Sequence, residues 1–182
     1  MTRLVLIVLC AAALAACATE PLGPAGPAPP VAYPPASTSG SASVFRQRDF
    51  AWSTSPGSGS IVGALGFHVG QTRYSCEGRD VILTPETPWS RLRMIILYGS
   101  PISAAVPLEI VRARTPAASS GDYASFVRKT TCDGDNRFAF GNLPNGGWFV
   151  ITLARPVDAP GEPIAVMRRV ETRGAQRNVT LY

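Results

Sequence analysis

The single histidine of the chain, His68, is the residue whose chemistry could most directly support catalysis. A catalytic triad would require its imidazole to meet a serine and an aspartate. Serines are abundant, but no Gly-x-Ser-x-Gly nucleophile elbow selects one of them. His68 lies between Phe67 and Val69 in a segment that alternates like a strand, which predicts a solvent-facing or structural histidine. We therefore expect no enzyme activity.

Residues 133–136, Asp-Gly-Asp-Asn, supply oxygen atoms of the kind that Ca²⁺ binds. An EF-hand loop would continue with Asp or Asn at its fifth position, Gly at its sixth and Glu at its twelfth. These positions hold Arg137, Phe138 and Pro144, so the segment is interpreted as a chain reversal. Nothing in the sequence pairs two other carboxylates across a cleft. Neither a metal site nor a cofactor is predicted.

The first 16 residues have the pattern of an export signal. Arg3 supplies a positive charge, residues 4–9 form an apolar run, and residues 11–16 lead into small residues suited to cleavage. The run is too short for a membrane-spanning helix, which needs about 20 apolar residues. Residues 1–16 are therefore predicted to be a signal peptide.

Residues 14–17, Leu-Ala-Ala-Cys, resemble the lipobox of bacterial lipoproteins. The resemblance implies cleavage before Cys17 and a triacylated, effectively permanent anchor, since a single acyl chain binds membranes only marginally. Ala18 stands where a retention signal would place Asp, so the resemblance favours the outer membrane of a Gram-negative bacterium. The alternative is an ordinary secretory signal that happens to contain a cysteine.

Residues 17–58 are dominated by Pro, Gly, Ala and Ser. Such a segment buries too little apolar surface to offset the entropy lost on ordering, and its prolines favour extended polyproline II. We expect it to be a tether between the lipidated Cys17 and a domain at 59–182. Residues 44–52, "VFRQRDFAW", interrupt this composition with three aromatic residues. They could add an edge strand or pack against the domain, and docking of a partner is the weaker alternative.

The net charge of the chain is +5, from 17 basic and 12 acidic residues. Its arginines are dispersed, and Arg168 and Arg169 are the one adjacent pair of arginines. The sequence has no Lys/Arg cluster of the kind that follows nucleic-acid phosphates, so no nucleic-acid partner is predicted. The charge indicates surface solubility or, alternatively, affinity for an anionic envelope polymer.

The four cysteines fall into two groups by position. Cys10 would leave with the signal and Cys17 would be acylated, which leaves Cys76 and Cys132 as an even pair in an oxidising compartment. A disulfide between them would stabilise the domain by about 4 kcal/mol in the chain-entropy model. The alternative is a reactive or metal-binding thiol pair, but zinc would need further ligands and the chain has no Cys-x-x-Cys.

Residues 59–182 read as a series of short strands separated by turns. The predicted strand segments are 60–69, 78–85, 123–132, 137–140, 146–154, 164–171 and 176–182. About seven such strands predict an all-β domain folded as one β-sandwich, in which Phe138 and Phe140 share one face and Phe149 and Ile151 share another. The segment 86–100 is ambiguous, with a helical start at Pro88 and a possible strand near its end.

The stretch 130–154, "TTCDGDNRFAFGNLPNGGWFVITLA", resembles carboxypeptidase regulatory-like domains. Residues 59–67 and 76–87 are similar to the opening strands of envelope proteins that carry that domain. The resemblance implies a transthyretin-like (prealbumin-like) sandwich, a fold shared with collagen-adhesin B-type repeats. It also implies a non-catalytic role, because this domain accompanies a peptidase in the family rather than catalysing the reaction.

Three functions are consistent with these observations. The first is a membrane-anchored interaction or structural module that binds another envelope protein or a cell-wall polymer, for which an exposed sheet edge is a ready surface. The second is an accessory outer-membrane lipoprotein of a secretion or export machine. The third, with least support, is an envelope hydrolase. The first is the function that we expect.

Overall fold

The computed structural model describes residues 44–116, 122–158 and 160–182, so the predicted signal peptide and Cys17 lie outside the described residues. The strands of the described residues are β1 (Gly59–Leu65), β2 (His68–Val69), β3 (Thr72–Ser75), β4 (Asp80–Pro85), β5 (Ser103–Pro107), β6 (Arg128–Thr131), β7 (Arg137–Leu143), β8 (Gly146–Pro156), β9 (Ile164–Thr172) and β10 (Gln176–Leu181). The α-helices are α1 (Gln47–Phe50), α2 (Pro88–Tyr98) and α3 (Leu108–Arg114). Single 3₁₀ turns cover Ala51–Thr54 and Tyr123–Phe126. The described chain is mostly β, as predicted.

Two sheets form a sandwich. The smaller sheet has the order β10-β1-β7, in which β1 is parallel to β10 and antiparallel to β7. In the larger sheet, β8 pairs with β9 on one side and with β4 on the other. Beyond them, β5 pairs with β9 and β6 pairs with β4. The short β2-β3 hairpin joins the larger sheet at the carboxyl end of β8. Among the described residues, no helix has the length and apolar character needed to cross a membrane.

Alternation along β8 builds two apolar layers. Trp148 and Val150 are fully buried in the core between the sheets, together with Phe138 and Phe140 of β7. Phe149 points to the opposite face, where a second core lies under α2 and α3. Ile151 packs against this second core, so both predicted pairs of residues that share a face are confirmed. The larger sheet is therefore covered on both sides.

The ambiguous segment 86–100 is helical through Tyr98. The Thr87 hydroxyl accepts a hydrogen bond from Ser90 N at 3.1 Å, and the Ser90 hydroxyl accepts one from Thr87 N at 2.8 Å. Pro88 occupies the first turn, where its missing N–H costs nothing. Gly99 ends the helix in a left-handed conformation, with φ of 76°.

Several elements differ from the expectation. The structure has ten strands in the described residues, because the segment predicted as 60–69 is broken and β3 and β5 are additional. Tyr123–Phe126, predicted as strand, is a 3₁₀ turn. Helix α3 was not predicted, since its seven residues carry one buried apolar side chain, Val111, and no helical periodicity is visible in so short a segment.

Residues 44–58 belong to the folded body, although the sequence assigned them to the tether. Phe50 is fully buried and its ring centroid lies 5.2 Å from that of Phe126 and 6.0 Å from that of Trp89. The Trp52 ring packs on Trp148 at 5.0 Å. The segment thus packs against the domain as helical turns rather than adding an edge strand, and the domain begins before Gly59.

Candidate functional site

A groove of 630 Å³ lies at the end of the sandwich where β1 and β8 finish. Leu65 and Gly66 bring the end of β1 to the groove, and Arg155 and Pro156 bring the end of β8. The β2-β3 hairpin and the turns that follow β3 and precede β7 supply most of the other lining residues. The groove is therefore assembled from parts of the chain that are distant in sequence.

The β2-β3 hairpin and its pairing with β8 set the positions of three basic side chains. His68 pairs with Arg73 across a tight turn in which Gly70 has a left-handed φ of 58°. Further along β3, Ser75 pairs with Arg155 of β8. Directly opposed residues of antiparallel strands point to the same face, as do residues two apart on one strand. The register therefore places His68, Arg73 and Arg155 on one face and Tyr74, which lies between Arg73 and Ser75, on the other.

An aromatic pair, Phe67 and Tyr74, lines the same groove. Their ring centroids are 5.1 Å apart and the rings meet edge to face, at 70°. Tyr74 N donates a hydrogen bond to Phe67 O at 3.2 Å, which holds the two residues together through the backbone. Both rings are half-buried and pack against the core between the sheets. They give the groove an apolar surface of fixed orientation.

Asn136 joins the turn before β7 to the end of β3. Its Oδ1 accepts hydrogen bonds from Ser75 Oγ at 2.8 Å and from Cys76 N at 2.9 Å. The residue has a left-handed φ of 61°, which asparagine tolerates better than most residues. The groove wall at this point is therefore fixed by a side chain whose amide oxygen is already engaged.

The predicted disulfide is confirmed. Cys76 and Cys132 are bonded, with Cα atoms 5.7 Å apart, and both are buried. Cys132 N donates to Arg79 O at 2.9 Å, and Gly78 N donates to Cys132 O at the same distance. The disulfide and these hydrogen bonds fix the turn that carries Glu77 and Arg79 into the groove.

The Asp-Gly-Asp-Asn segment forms the predicted turn. Asp133 Oδ1 accepts hydrogen bonds from Asp135 N at 3.0 Å and from Arg137 N at 2.7 Å. One carboxylate of the suspected calcium cluster is thus engaged by the backbone. Within the residues that the structure describes, no group of three His, Cys, Asp or Glu side chains is placed to hold a metal ion.

Positive charge predominates in the groove. Its arginines are Arg73, Arg79 and Arg155, and the one carboxylate among the lining residues is that of Glu77. Arg73 Nη2 lies 3.4 Å from Asp158 Oδ2, and both side chains are exposed. Across the described residues, ion pairs within 4.0 Å involve neither Arg79 nor Arg155. Two guanidinium groups therefore remain available to a ligand.

His68 lies in β2 and is exposed, which is the solvent-facing alternative of the two predicted. Ser75 shares the groove with it, but the Ser75 hydroxyl donates to Asn136. No side-chain hydrogen bond of the described residues joins His68 to a serine or a carboxylate.

Among the groove residues, the sequence singled out only His68 and the Gly134–Asn136 turn. The available local signal is "FHVGQTRY", residues 67–74, in which aromatic residues stand at both ends of a Gly-containing turn. Arg79 and Arg155 are far apart in sequence, and the pairing of β3 with β8 together with the disulfide-held turn after β3 brings them to one groove.

Comparison with known proteins gives a likeness of fold. No protein-family model matches the chain. No curated protein matches it either. Among solved structures, it resembles PA1324 of Pseudomonas aeruginosa, a proposed carbohydrate-binding protein, with a TM-score of 0.51 and 21% identity over 75% of this chain and 96% of that chain. At this identity the likeness shows a shared fold.

Proposed function

We propose that the chain is a non-catalytic module of the bacterial cell envelope that binds a carbohydrate polymer in the groove. The placement of the Phe67 and Tyr74 rings beside hydrogen-bonding side chains is the observation that carries this function. The shared fold with a proposed carbohydrate-binding protein supports it.

The chemistry of a sugar matches this lining. A sugar ring has an apolar C–H face, which packs on an aromatic ring, and hydroxyl groups at its edge, which need donors and acceptors. Arg79 and Arg155 supply donors and Glu77 supplies acceptors. The groove is open rather than enclosed, which suits a segment within a polymer better than a small free ligand.

The lipid anchor and the family are part of the same proposal. The lipobox at residues 14–17 supports acylation of Cys17, and Ala18 after it supports an outer-membrane location. The β-sandwich with a strand in each predicted segment supports a transthyretin-like domain of the carboxypeptidase regulatory type. Cys17→Ser is expected to release a soluble, unlipidated protein on cell fractionation, and a variant that stayed wholly in the membrane fraction would contradict the anchor.

A bulky side chain placed at the groove tests the binding function. A Cβ on Gly134 would make only a 3.6 Å contact with Glu77, so Gly134→Trp can fill the groove without disturbing the core. Gly141→Trp is the matched control, since Gly141 is exposed on β7, lies outside the groove and has open space at its Cβ position.

Co-sedimentation of each full-length variant with insoluble envelope polysaccharide is the measurement. Gly134→Trp should lose most of the binding, and Gly141→Trp should bind like the unmodified chain. Thermal unfolding of both variants verifies that each is folded. Equal binding by all three proteins would refute the groove as the ligand site.

A further inference from the structure

We infer that the groove selects acidic saccharides, whose sugar units carry carboxylate or phosphate groups, over neutral ones. This inference rests on the proposed carbohydrate-binding function and specifies its ligand. The guanidinium group binds both oxyanions through paired, charge-assisted hydrogen bonds, so arginine is the side chain suited to recognising them.

The arginines reach the groove from independent and rigid supports. Arg155 lies at the end of the long strand β8, opposite Ser75. Arg79 follows the turn that the Cys76–Cys132 disulfide and its backbone hydrogen bonds hold in place. Since neither guanidinium has an ion pair within the described residues, an arriving oxyanion would not have to displace a protein carboxylate. This is the arrangement of a preorganised anion site.

Nearby acidic groups offset only part of this charge. Asp158 faces Arg73 at the exposed rim, and Glu77 is the carboxylate that lines the groove. Asp133 and Asp135 flank Gly134 but do not line the groove. A carboxylate within a mainly cationic groove can accept hydrogen bonds from sugar hydroxyls, while the arginines bind the acidic group.

The aromatic pair separates this site from a general basic patch. Phe67 and Tyr74 line the same groove as the arginines, with Tyr74 on the opposite face of β3 from Arg73, so the groove offers both a sugar face and an anion contact. Half-buried rings inside a groove are more accessible to a polymer chain that enters it than to a broad bilayer surface. The observations therefore favour an acidic saccharide over an anionic membrane surface.

Charge-matched polymers test the selectivity on the full-length protein. Polygalacturonate and its methyl ester differ in carboxylate charge, and phosphomannan and mannan differ in phosphate. Calorimetric titration should give at least about tenfold tighter binding to one or both acidic polymers than to their neutral counterparts. The preference should weaken as salt is raised, because the contacts are partly exposed.

Paired substitutions with equal charge change provide the control. The double variant Arg79→Gln and Arg155→Gln should lose the preference for the acidic polymer by about tenfold or more. The double variant Arg112→Gln and Arg177→Gln removes the same charge from exposed sites outside the groove and should keep it. Similar losses in both doubles would show an effect of net charge and would overturn the inference.

The remaining outcomes separate selectivity from the binding function itself. Equal binding of neutral and acidic polymers, abolished by Gly134→Trp, would overturn the selectivity and leave the proposed function standing. Binding that Gly134→Trp does not change would overturn both. Binding to phosphatidylglycerol vesicles through Arg79 and Arg155, without binding to either acidic polymer, would replace the saccharide with a membrane surface.

Discussion

Arg169 Nε donates a hydrogen bond to Glu86 Oε2 at 2.7 Å and links β9 to the segment that leads into α2. Arg91 of α2 adds a second hydrogen bond, with Nη1 2.8 Å from Glu86 Oε1. Burial raises the pKa of the Glu86 carboxyl, but the hydrogen bonds and charges of Arg169 and Arg91 outweigh burial and hold the pKa below its usual value. Glu86 thus connects the sheet to the helix that covers it.

We expect Glu86→Gln to destabilise the fold at neutral pH by about 2 kcal/mol, the range of a hydrogen bond to a charged group. Because the folded pKa is lowered, the stabilisation by Glu86 is fully present above the ordinary value of 4.5 and is lost as pH falls through the folded pKa. Urea unfolding should therefore show a gap between variant and unmodified chain that narrows in acid. A gap of equal size at neutral and acid pH would contradict this assignment, and Glu109→Gln, in an exposed ion pair, should change little.

Asn136 stabilises the fold through both its side-chain hydrogen bonds and its backbone conformation. Asn136→Ala removes the acceptor of Ser75 Oγ and Cys76 N and also places a Cβ residue without local hydrogen bonds at a φ of 61°. Asn136→Gly loses the same hydrogen bonds without the conformational cost, so it should be more stable than the alanine variant by about 1 kcal/mol. Thermal unfolding measures the order, and an alanine variant at least as stable as the glycine variant would contradict the role of φ.

The N-terminal segment is expected to stabilise the domain. Phe50→Ala should cost about 3 kcal/mol, because it empties a fully buried site between Trp89 and Phe126. Val44→Ala is the control, since Val44 is 52% exposed. Chemical denaturation of the two variants decides the point: equal stabilities would mean that this segment is dispensable to the fold.

The sequence predicts the sandwich because strand periodicity and turn residues are local signals. Phe138 and Phe140 follow the period of two, and the Asp133 turn has its characteristic residues, so both are found as predicted. The disulfide was also predicted, because exclusion of the two other cysteines left one pair. These features can be predicted with little information about tertiary contacts.

The groove and the N-terminal packing could not be predicted in this way. Phe50 lies in a segment whose overall composition is that of a tether, and its burial depends on partners about 40 and 75 residues away in sequence. Arg79 and Arg155 line one groove because β3 pairs with the far end of β8 and the disulfide holds the turn that follows β3. Such relationships follow from register and topology, which single-residue patterns do not specify.

The length of β8 sets the direction in which a pulling force would act on the domain. Its first residue, Gly146, lies against Trp52 of the N-terminal segment, and Arg155 near its last residue lines the groove. Tension between a chain held at its N-terminal side and a polymer held in the groove would run along the strands. Hydrogen bonds between antiparallel strands are perpendicular to that direction, so they would share the force in shear instead of opening one at a time. If the groove holds a polymer as proposed, such a load would meet several hydrogen bonds at once.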